Sequence, residues 1–118
     1  MRIDISSTSS IVGFLGACLV DSESGLMIVS EGGGRIDLEA AAALNTQVLR
    51  AELQAMDALG ITDTIEDVLI TMGQQFHFIR PLEAAPTTFL YLALDKAKAN
   101  LGMARLQLKK IEGTLSMS

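Results

Sequence analysis

Hydrophobic residues occur in short runs along the chain, and these runs predict five strands. Gly13–Asp21 is a continuous apolar run, and Leu26–Ser30 follows it after a polar SESG turn, which predicts a hairpin. Ile65–Gly73, Gln74–Leu82 and Thr87–Asp95 have the length of strands, and the last is rich in β-branched and aromatic residues. Because the connections among these last three are short, we expect them to pair in an antiparallel arrangement.

Two further segments have the pattern of helices. Asp37 is expected to cap a long helix that reaches Leu59, with Gly60 directly after its end. Asp95 is expected to cap a second helix that runs to about Glu112. The order ββαβββα predicts an α+β fold. In it, a five-stranded antiparallel sheet has the long helix on one face and the C-terminal helix on the other.

The N-terminal residues have a weaker pattern than the rest of the chain. Residues 1–11 are largely polar, and we expect them to be flexible or partly helical. The remainder contains no repeat, proline-rich linker or low-complexity tract that would divide it. A chain of 118 residues is long enough for a single core, so we expect one domain over residues 12–115.

The long helix carries more apolar surface than one sheet requires. At about 100° per residue, its apolar positions form two adjoining stripes. The first stripe contains Leu38, Ala42, Leu49, Leu53 and Met56, and the second contains Ala40, Ala41, Leu44, Val48, Ala51 and Ala55. A helix on a sheet needs an apolar arc of only about 100°. We therefore expect another molecule to cover the second stripe, although alanines are also tolerated on helix surfaces as good helix formers.

Charge and cysteine content narrow the possible partners. The net charge is −5 and the nine Lys and Arg residues are scattered, with only Lys96/Lys98 and Lys109/Lys110 close together. This argues against binding to nucleic acid or to an anionic membrane. The single cysteine is consistent with a reducing compartment, and no apolar run approaches the roughly 20 residues of a membrane helix. We therefore expect a cytoplasmic protein that does not insert into a membrane.

Three consecutive glycines, Gly32–Gly34, precede the long helix and could suggest a phosphate-binding loop. A P-loop requires a lysine and a hydroxyl residue after its last glycine, whereas Arg35 and Ile36 follow here. Acidic Glu31 and Asp37 flank the loop and would repel phosphate. We expect the glycines to permit positive φ angles at a sharp crossover from strand to helix.

The remaining reactive residues do not form a catalytic set. His77 is the only histidine and lies within a strand, where a structural or surface role is expected. Cys18 lies in an apolar strand, where thiols are usually inert. Glu66 and Asp67 are adjacent and so point to opposite faces of their strand. We expect neither an enzyme nor a cofactor or metal site.

The order of these segments resembles one family. The opening hairpin GFLGACLVDSESGLMIVSEGG, the Ala-rich LEAAAALNTQVLRAELQAM, and then IEDVLITMGQQFHFIRPL, FLYLALD and ANLGMARLQLKKIE are similar to bacterial members of the roadblock / dynein light chain family. The resemblance covers about residues 12–112. It implies a five-stranded antiparallel sheet between helices, and a dimer formed by the third strands edge to edge and the long helices side by side. It also implies, for many bacterial members, binding to Ras-like small GTPases without GTP-hydrolysing residues of their own.

One departure from the family concerns the N-terminus, because members usually begin with a full helix. Only about a dozen residues precede the first strand here. The resemblance therefore implies thinner cover on the C-terminal helix's side of the sheet, or cover completed by a partner.

The resemblance and the apolar arc together predict a dimer interface on the long helix and the third strand. Its predicted residues are Leu44, Asn45, Val48, Ala51, Glu52, Ala55, Ile65, Asp67 and Leu69. The polar sector of the same helix could instead face a partner or be a solvated helix face; its residues are Gln47, Arg50, Gln54 and Asp57.

The lack of a catalytic set and the wide apolar arc predict a non-catalytic protein that associates with itself, and the resemblance implies that this homodimer binds a cytoplasmic small GTPase as a regulator or scaffold. Two alternatives remain open at this point. One is a purely structural dimerisation adaptor of a larger complex, and the other is a small-molecule or nucleotide sensor that uses the sheet and the glycine loop. A heterodimer with a related subunit is also compatible with the sequence.

Overall fold

A computed structural model describes residues 2–117 and contains the predicted five-stranded antiparallel sheet between helices. A 3-10 helix, Ser6–Ser10, comes first and is followed by the main elements in the order ββαβββα. They are β1 (Phe14–Asp21), β2 (Leu26–Gly32), α1 (Leu38–Ala58), β3 (Val68–Thr71), β4 (Gln75–Pro81), β5 (Thr88–Asp95) and α2 (Leu101–Thr114). The predicted α+β class and element order are confirmed.

The sheet has the strand order β2-β1-β5-β4-β3, with every neighbouring pair antiparallel. The central pair joins β1 to β5, with Cys18 opposite Tyr91. Every residue of β5 except the last is buried, because both faces of this central strand are covered. β2 and β3 form the two edges of the sheet.

Each face of the sheet has its own core, as predicted for a sheet that is apolar on both sides. On one face, Leu108 and Ile111 of α2 pack with strand residues such as Phe78 and Leu92. On the other face, Leu38, Ala42 and Leu49 of α1 pack with residues that include Val20, Phe89 and Tyr91. The two helices therefore lie on opposite faces of one sheet. Among residues 2–117, no helix is both long and apolar enough to span a membrane.

The N-terminal segment contributes to the core on the α2 side. Ile5 and Ile11, at the two ends of the 3-10 helix, are buried in the same cluster as Leu108. The hydroxyl of Thr8 is also buried and donates to the carbonyl of Ile5 at 2.7 Å, so it remains satisfied. This segment adds to the cover on a face where we expected it to be thin.

Helix α1 begins as predicted. The carboxylate of Asp37 accepts a hydrogen bond from the backbone N–H of Ala40 at 3.1 Å, which is the geometry of an N-cap. The helix gives way at Leu59 to Gly60, whose φ of +69° matches the position expected for a helix-ending glycine.

The second half of α1 is less buried than its sequence pattern predicts. Leu53 belongs to the stripe expected to face the sheet, yet 49% of its surface is exposed. The helix packs against β1 and β2, and Arg50 already reaches the turn between them by donating to the carbonyls of Ser22 and Glu23. Residues after Arg50 have therefore passed the end of these strands and have little of the chain beneath them.

Helix α2 begins later than predicted, so the expected cap at Asp95 is wrong. Asn100 is the N-cap, and its side-chain oxygen accepts from the N–H of Met103 at 3.0 Å. The carboxylate of Asp95 instead accepts from the N–H of Ala97 at 3.1 Å, and its carbonyl accepts from that of Ala99 at 3.0 Å. This local turn uses the hydrogen-bonding capacity of Asp95 before a helix can start.

Strand β3 is shorter than predicted and contains only Val68–Thr71. The preceding residue, Asp67, is held by Arg105 of α2 through two hydrogen bonds of 3.0 and 3.1 Å. Ile65 packs with the core on the α1 side, as do Val68 and Ile70. Side chains of a strand alternate between its two faces, but Ile65 and Val68 are three positions apart and lie on the same side of the sheet. The predicted strand therefore does not begin at Ile65.

Candidate protein-interaction surface

The most exposed apolar part of α1 lies along one side of the helix. We call Leu44, Val48, Ala51 and Ala55 the exposed flank; Leu44 is 60% exposed and Val48 38% exposed. Ala41, from the same predicted stripe, is buried against the sheet. The second stripe is thus open to solvent over most of its length, as the width of the apolar arc predicts.

The sheet beside the exposed flank is only partly covered. α1 packs against β1 and β2, at one side of the sheet. On the same face, Val68 and Ile70 of β3 and His77 of β4 remain half-buried. The apolar flank and this part of the sheet therefore form two walls of an open surface.

The edge of the sheet next to this surface is also open. β3 lies at the end of the strand order and pairs with β4 on one side. Along its other side, a strand exposes the backbone N–H and C=O groups that another strand can bind. Apolar side chains and an unpaired edge thus lie on neighbouring parts of the molecule.

The structure brings most of the predicted interface residues together on α1. Asn45 and Glu52 lie beside the exposed flank, and Glu52 is exposed. The side-chain amide of Asn45 donates to the carbonyl of Ala41 at 2.8 Å, so it is partly satisfied within the helix. Ile65 lies on the same side of the sheet.

Two predicted interface residues lie on the opposite side of the sheet. Leu69 packs against the core under α2, and Asp67 binds Arg105 of that helix. Both are close to the β3 edge in sequence, but their side chains do not extend the exposed flank.

The predicted partner-facing residues of α1 divide into two groups. Gln47, Gln54 and Asp57 are exposed on the helix surface. Arg50 is also exposed, but its guanidinium donates to the Ser22 and Glu23 carbonyls at 2.8 and 2.6 Å. Arg50 thus ties α1 to the turn between β1 and β2.

The glycine loop serves the crossover from β2 to α1. Gly32 and Gly33 have φ angles of +64° and +91°, which confirms the predicted conformation at these two positions. The N–H of Gly33 donates to the carbonyl of Leu15 at 3.1 Å, so this amide is already used within the fold. A side chain at Gly33 would also collide with Leu38, whose Cδ1 would lie 2.6 Å from an added Cβ.

His77 belongs to a hydrogen-bond network that its sequence position did not indicate. Its Nε2–H donates to Oε1 of Gln75 at 2.7 Å, and its Nδ1 accepts from the hydroxyl of Tyr91 at 3.0 Å. The Tyr91 and His77 rings meet edge to face, with 5.4 Å between their centres. Tyr91 is distant in sequence, so only the pairing of β4 with β5 could have revealed the contact.

The ionisation of this network favours neutral groups. Burial lowers the pKa of His77 below its usual 6.5. Burial, and secondarily the nearby Cys18 thiol, raise the pKa of Tyr91 to about 12. Burial also raises the pKa of Cys18 to about 12, so this thiol is a poor nucleophile. The arrangement supplies a fixed, neutral histidine at the rim of the open surface.

Comparison with known proteins gives matches among solved structures. A scan against protein-family models finds no match, and neither does a search of curated proteins. Myxococcus xanthus MglB superposes with a TM-score of 0.79 at 19% identity, covering 92% of this chain and 85% of that one. A Roadblock/LC7 domain from Streptomyces avermitilis also gives 0.79, at 16% identity and with 92% and 88% of the two chains covered.

A third similar structure is one of MglB with a tetrameric arrangement. Its TM-score is 0.76 at 20% identity, and the match covers 90% of this chain and 77% of the other. All three likenesses extend over at least 90% of this chain. The chain therefore has the roadblock fold.

Proposed function

We propose that this protein is a non-catalytic homodimer that binds a Ras-like small GTPase in the cytoplasm and modulates its activity. The observation that carries the proposal is the open surface formed by the exposed flank of α1 and the neighbouring β3–β4 part of the sheet. Fold similarity to MglB and the sequence resemblance to bacterial roadblock proteins support the choice of a GTPase as partner.

A second copy suits this surface better than solvent does. Burying the exposed parts of Leu44 and Val48 contributes about 1–2 kcal/mol for each side chain, and a two-fold axis would double the number buried. Pairing of two β3 edges would also satisfy backbone groups that an open edge leaves to water. Together, these contacts would continue the sheet from one protomer into the other.

The last turns of α1 also support a second copy. They extend past the β1–β2 turn and carry Leu53 in an exposed position. An antiparallel partner helix would place these turns over the uncovered part of the other protomer's sheet, near Ile70 and His77. Each copy would thus cover the part of the other copy's sheet that its own α1 leaves open.

The GTPase would then bind a surface that both protomers form. Gln47, Gln54 and Asp57 lie on the outer side of α1, where a dimer leaves them exposed. Because the His77 network is neutral and Cys18 is buried, these reactive groups are poorly suited to nucleophilic or acid–base chemistry. We therefore assign to this protein an effect on the partner's nucleotide cycle rather than hydrolysis of its own.

The dimer and the GTPase effect are tested with one pair of variants. Val48→Glu places a charge on the exposed flank, whereas Gln54→Glu makes the same charge change on the outer polar side of the helix. By light scattering, the wild type and Gln54→Glu are expected to have the mass of a dimer, and Val48→Glu that of a monomer. A Val48→Glu protein that remains dimeric would exclude this surface.

GTP hydrolysis by a candidate Ras-like GTPase from the same organism is then measured with and without the protein. A change in rate with the wild type, lost with Val48→Glu, supports regulation by the dimer. Binding of the GTPase without a change in its rate or nucleotide exchange favours the structural adaptor instead. No binding at all would contradict the proposed partner while leaving the dimer intact.

A further inference from the structure

The two close pairs of basic residues, Lys96/Lys98 and Lys109/Lys110, lie in the same part of the chain, with Arg105 between them. Residues 96–111 contain five of the nine Lys and Arg residues and no carboxylate, whereas the rest contains four cations and all fourteen carboxylates. These residues form α2 as far as Ile111 and the turn that leads into it, on the face opposite α1. The next residue of the same helix, Glu112, is a carboxylate that pairs with Arg80. On this side Asp67 pairs with Arg105 and Glu112 with Arg80, whereas Lys96, Lys98, Lys109 and Lys110 are exposed cations outside both of these ion pairs.

Two of these cations are held over the aromatic rings of β4. The Nζ of Lys96 lies 5.6 Å from the ring centre of Phe76, and the guanidinium of Arg105 lies 5.6 Å from that of Phe78. Phe76 and Phe78 are two positions apart on the same strand face, so they are about 7 Å apart. The two cations therefore stand in a row along β4.

An open cavity of about 820 Å³ lies beyond these two cations, between the end of β4 and the end of α2. Arg80 and Lys109 line this cavity together with Glu112. One oxygen of Glu112 accepts from Nε of Arg80 at 2.7 Å, and the other accepts from the N–H of Glu83 at 2.7 Å. Both carboxylate oxygens of Glu112 are thus engaged. Within residues 2–117 the ion pairs are Arg80–Glu112 and Arg105–Asp67, and Lys109 takes part in neither of them.

The outer side of α2 adds apolar anchors beside these charges. Met103 is 54% exposed and Leu106 is 57% exposed, one turn apart on the helix. Lys109 and Lys110 follow Leu106 after one further turn and are both exposed. Apolar side chains flanked by cations form a surface that complements an acidic segment with a few apolar side chains of its own.

We propose that the outer side of α2, with Met103, Leu106, Lys109 and Lys110, and the neighbouring Lys96 form a docking surface for an acidic segment of another protein. It lies on the opposite face of the sheet from the exposed flank of α1. The protein can therefore bind this segment while α1 engages a second copy or a GTPase, and so bring two partners together.

A protein segment fits this surface better than a lipid bilayer does. Interfacial membrane helices have a broad apolar face, often with aromatic residues, whereas the outer side of α2 presents Met103 and Leu106 alone. The net charge of −5 also repels an anionic bilayer that approaches the whole molecule.

The test uses the full chain and a fluorescein-labelled synthetic peptide of about 18 residues with glutamates on one helical face and leucines on the other. Fluorescence anisotropy is expected to show saturable binding that weakens when salt is raised, because screening reduces the attraction between exposed charges. Lys110→Glu is expected to weaken binding about fivefold, as for the loss of roughly 1 kcal/mol.

The matched control is Arg35→Glu, which makes the same charge change in the loop before α1. It is expected to change binding less than twofold, and Val48→Glu is expected to leave binding unchanged because it acts on the opposite face. Leu106→Ser should weaken binding even at high salt, since it removes an apolar anchor.

Three results would overturn the proposal. The first is no peptide binding, and the second is equal weakening by Lys110→Glu and Arg35→Glu, which would reflect net charge alone. The third is binding to phosphatidylserine vesicles, or a concentration-dependent rise in mass, that depends on Lys110 while the peptide does not bind. The vesicle result would assign the surface to a membrane, and the rise in mass to another copy of the chain.

Discussion

The tightest constraint on a single residue lies where β2 turns into α1. Gly33 has a φ of +91°, and an added Cβ would lie 2.6 Å from Cδ1 of Leu38, a buried residue that opens the helix. Gly34, the next residue, has open space around the same position and a φ outside the left-handed range. The fold therefore requires a glycine at position 33, whereas position 34 has room for a side chain.

This difference gives a paired prediction for the glycine loop. Gly33→Ala is expected to lower the free energy of unfolding by about 1–3 kcal/mol, because alanine is strained at this φ and collides with Leu38. Gly34→Ala is expected to change it by less than about 1 kcal/mol. Urea unfolding of both variants measures the two effects, and equal losses would contradict this account of the loop.

The same residues bear on the sensor alternative. A thermal-shift screen with nucleotides and metabolites would support that function if one ligand raised the melting temperature and Gly33→Ala removed the effect. The engagement of the Gly33 N–H by the Leu15 carbonyl favours the structural role instead.

At the scale of elements, two aspartates in similar sequence settings have different roles. Asp37 and Asp95 each precede an apolar helical pattern, and both were predicted to be N-caps. Asp37 is one, whereas Asp95 closes a turn and Asn100 caps α2. A pattern of side chains identifies the helix but does not decide which of several capping residues starts it.

Asn100 is therefore expected to stabilise α2 as its N-cap, the role that was predicted for Asp95. Asn100→Ala removes the acceptor for the Met103 N–H and is expected to cost about 1 kcal/mol, or a fall of about 4 °C in melting temperature. Asn100→Asp, which retains a capping oxygen, is the control and should remain near the wild type. Thermal unfolding followed by circular dichroism compares the two; an unchanged melting temperature in Asn100→Ala would argue against this cap.

The extent of each strand shows a further limit of sequence reasoning. The apolar run from Ile65 predicted a long third strand, but Asp67 binds Arg105 on the α2 side and β3 begins only at Val68. The length of a strand depends on contacts with residues distant in sequence, which an apolar run does not contain.

At the scale of the whole molecule, the class and order of elements could be predicted from the sequence, and the strand neighbours only in part. Short connections indicated that β3, β4 and β5 pair in series. The central pairing of β1 with β5 joins residues far apart in the chain and was not indicated. The contact between His77 and Tyr91 arises within the β4–β5 pair, but the apolar pattern did not show which side chains would meet there. The exposed flank was predictable because it follows from the width of one helix's apolar arc.

The His77 network gives the stability of the whole protein a dependence on pH. Burial holds the pKa of His77 below 6.5, so between the folded and unfolded pKa values the unfolded chain binds more protons. Above about pH 6.5 His77 is neutral in both states and does not oppose folding. As the pH falls below this value, protonation favours the unfolded chain and the free energy of unfolding decreases. We expect the urea midpoint to be lower at pH 5.5 than at pH 7.5, with a smaller difference in His77→Gln, which cannot titrate. Equal pH dependence in the two proteins would assign the effect to other groups.

The position of β1 beside β5 also affects how the chain reaches its final form. Cys18 and Tyr91 face each other across the middle of the sheet, although about 70 residues separate them. During synthesis, the β1–β2 hairpin leaves the ribosome long before its other neighbour exists, and one side of β1 stays without a partner until β5 emerges. Because pairings between distant segments form slowly, completion of the sheet is expected to govern the rate of folding. The apolar hairpin is most exposed to aggregation during that interval.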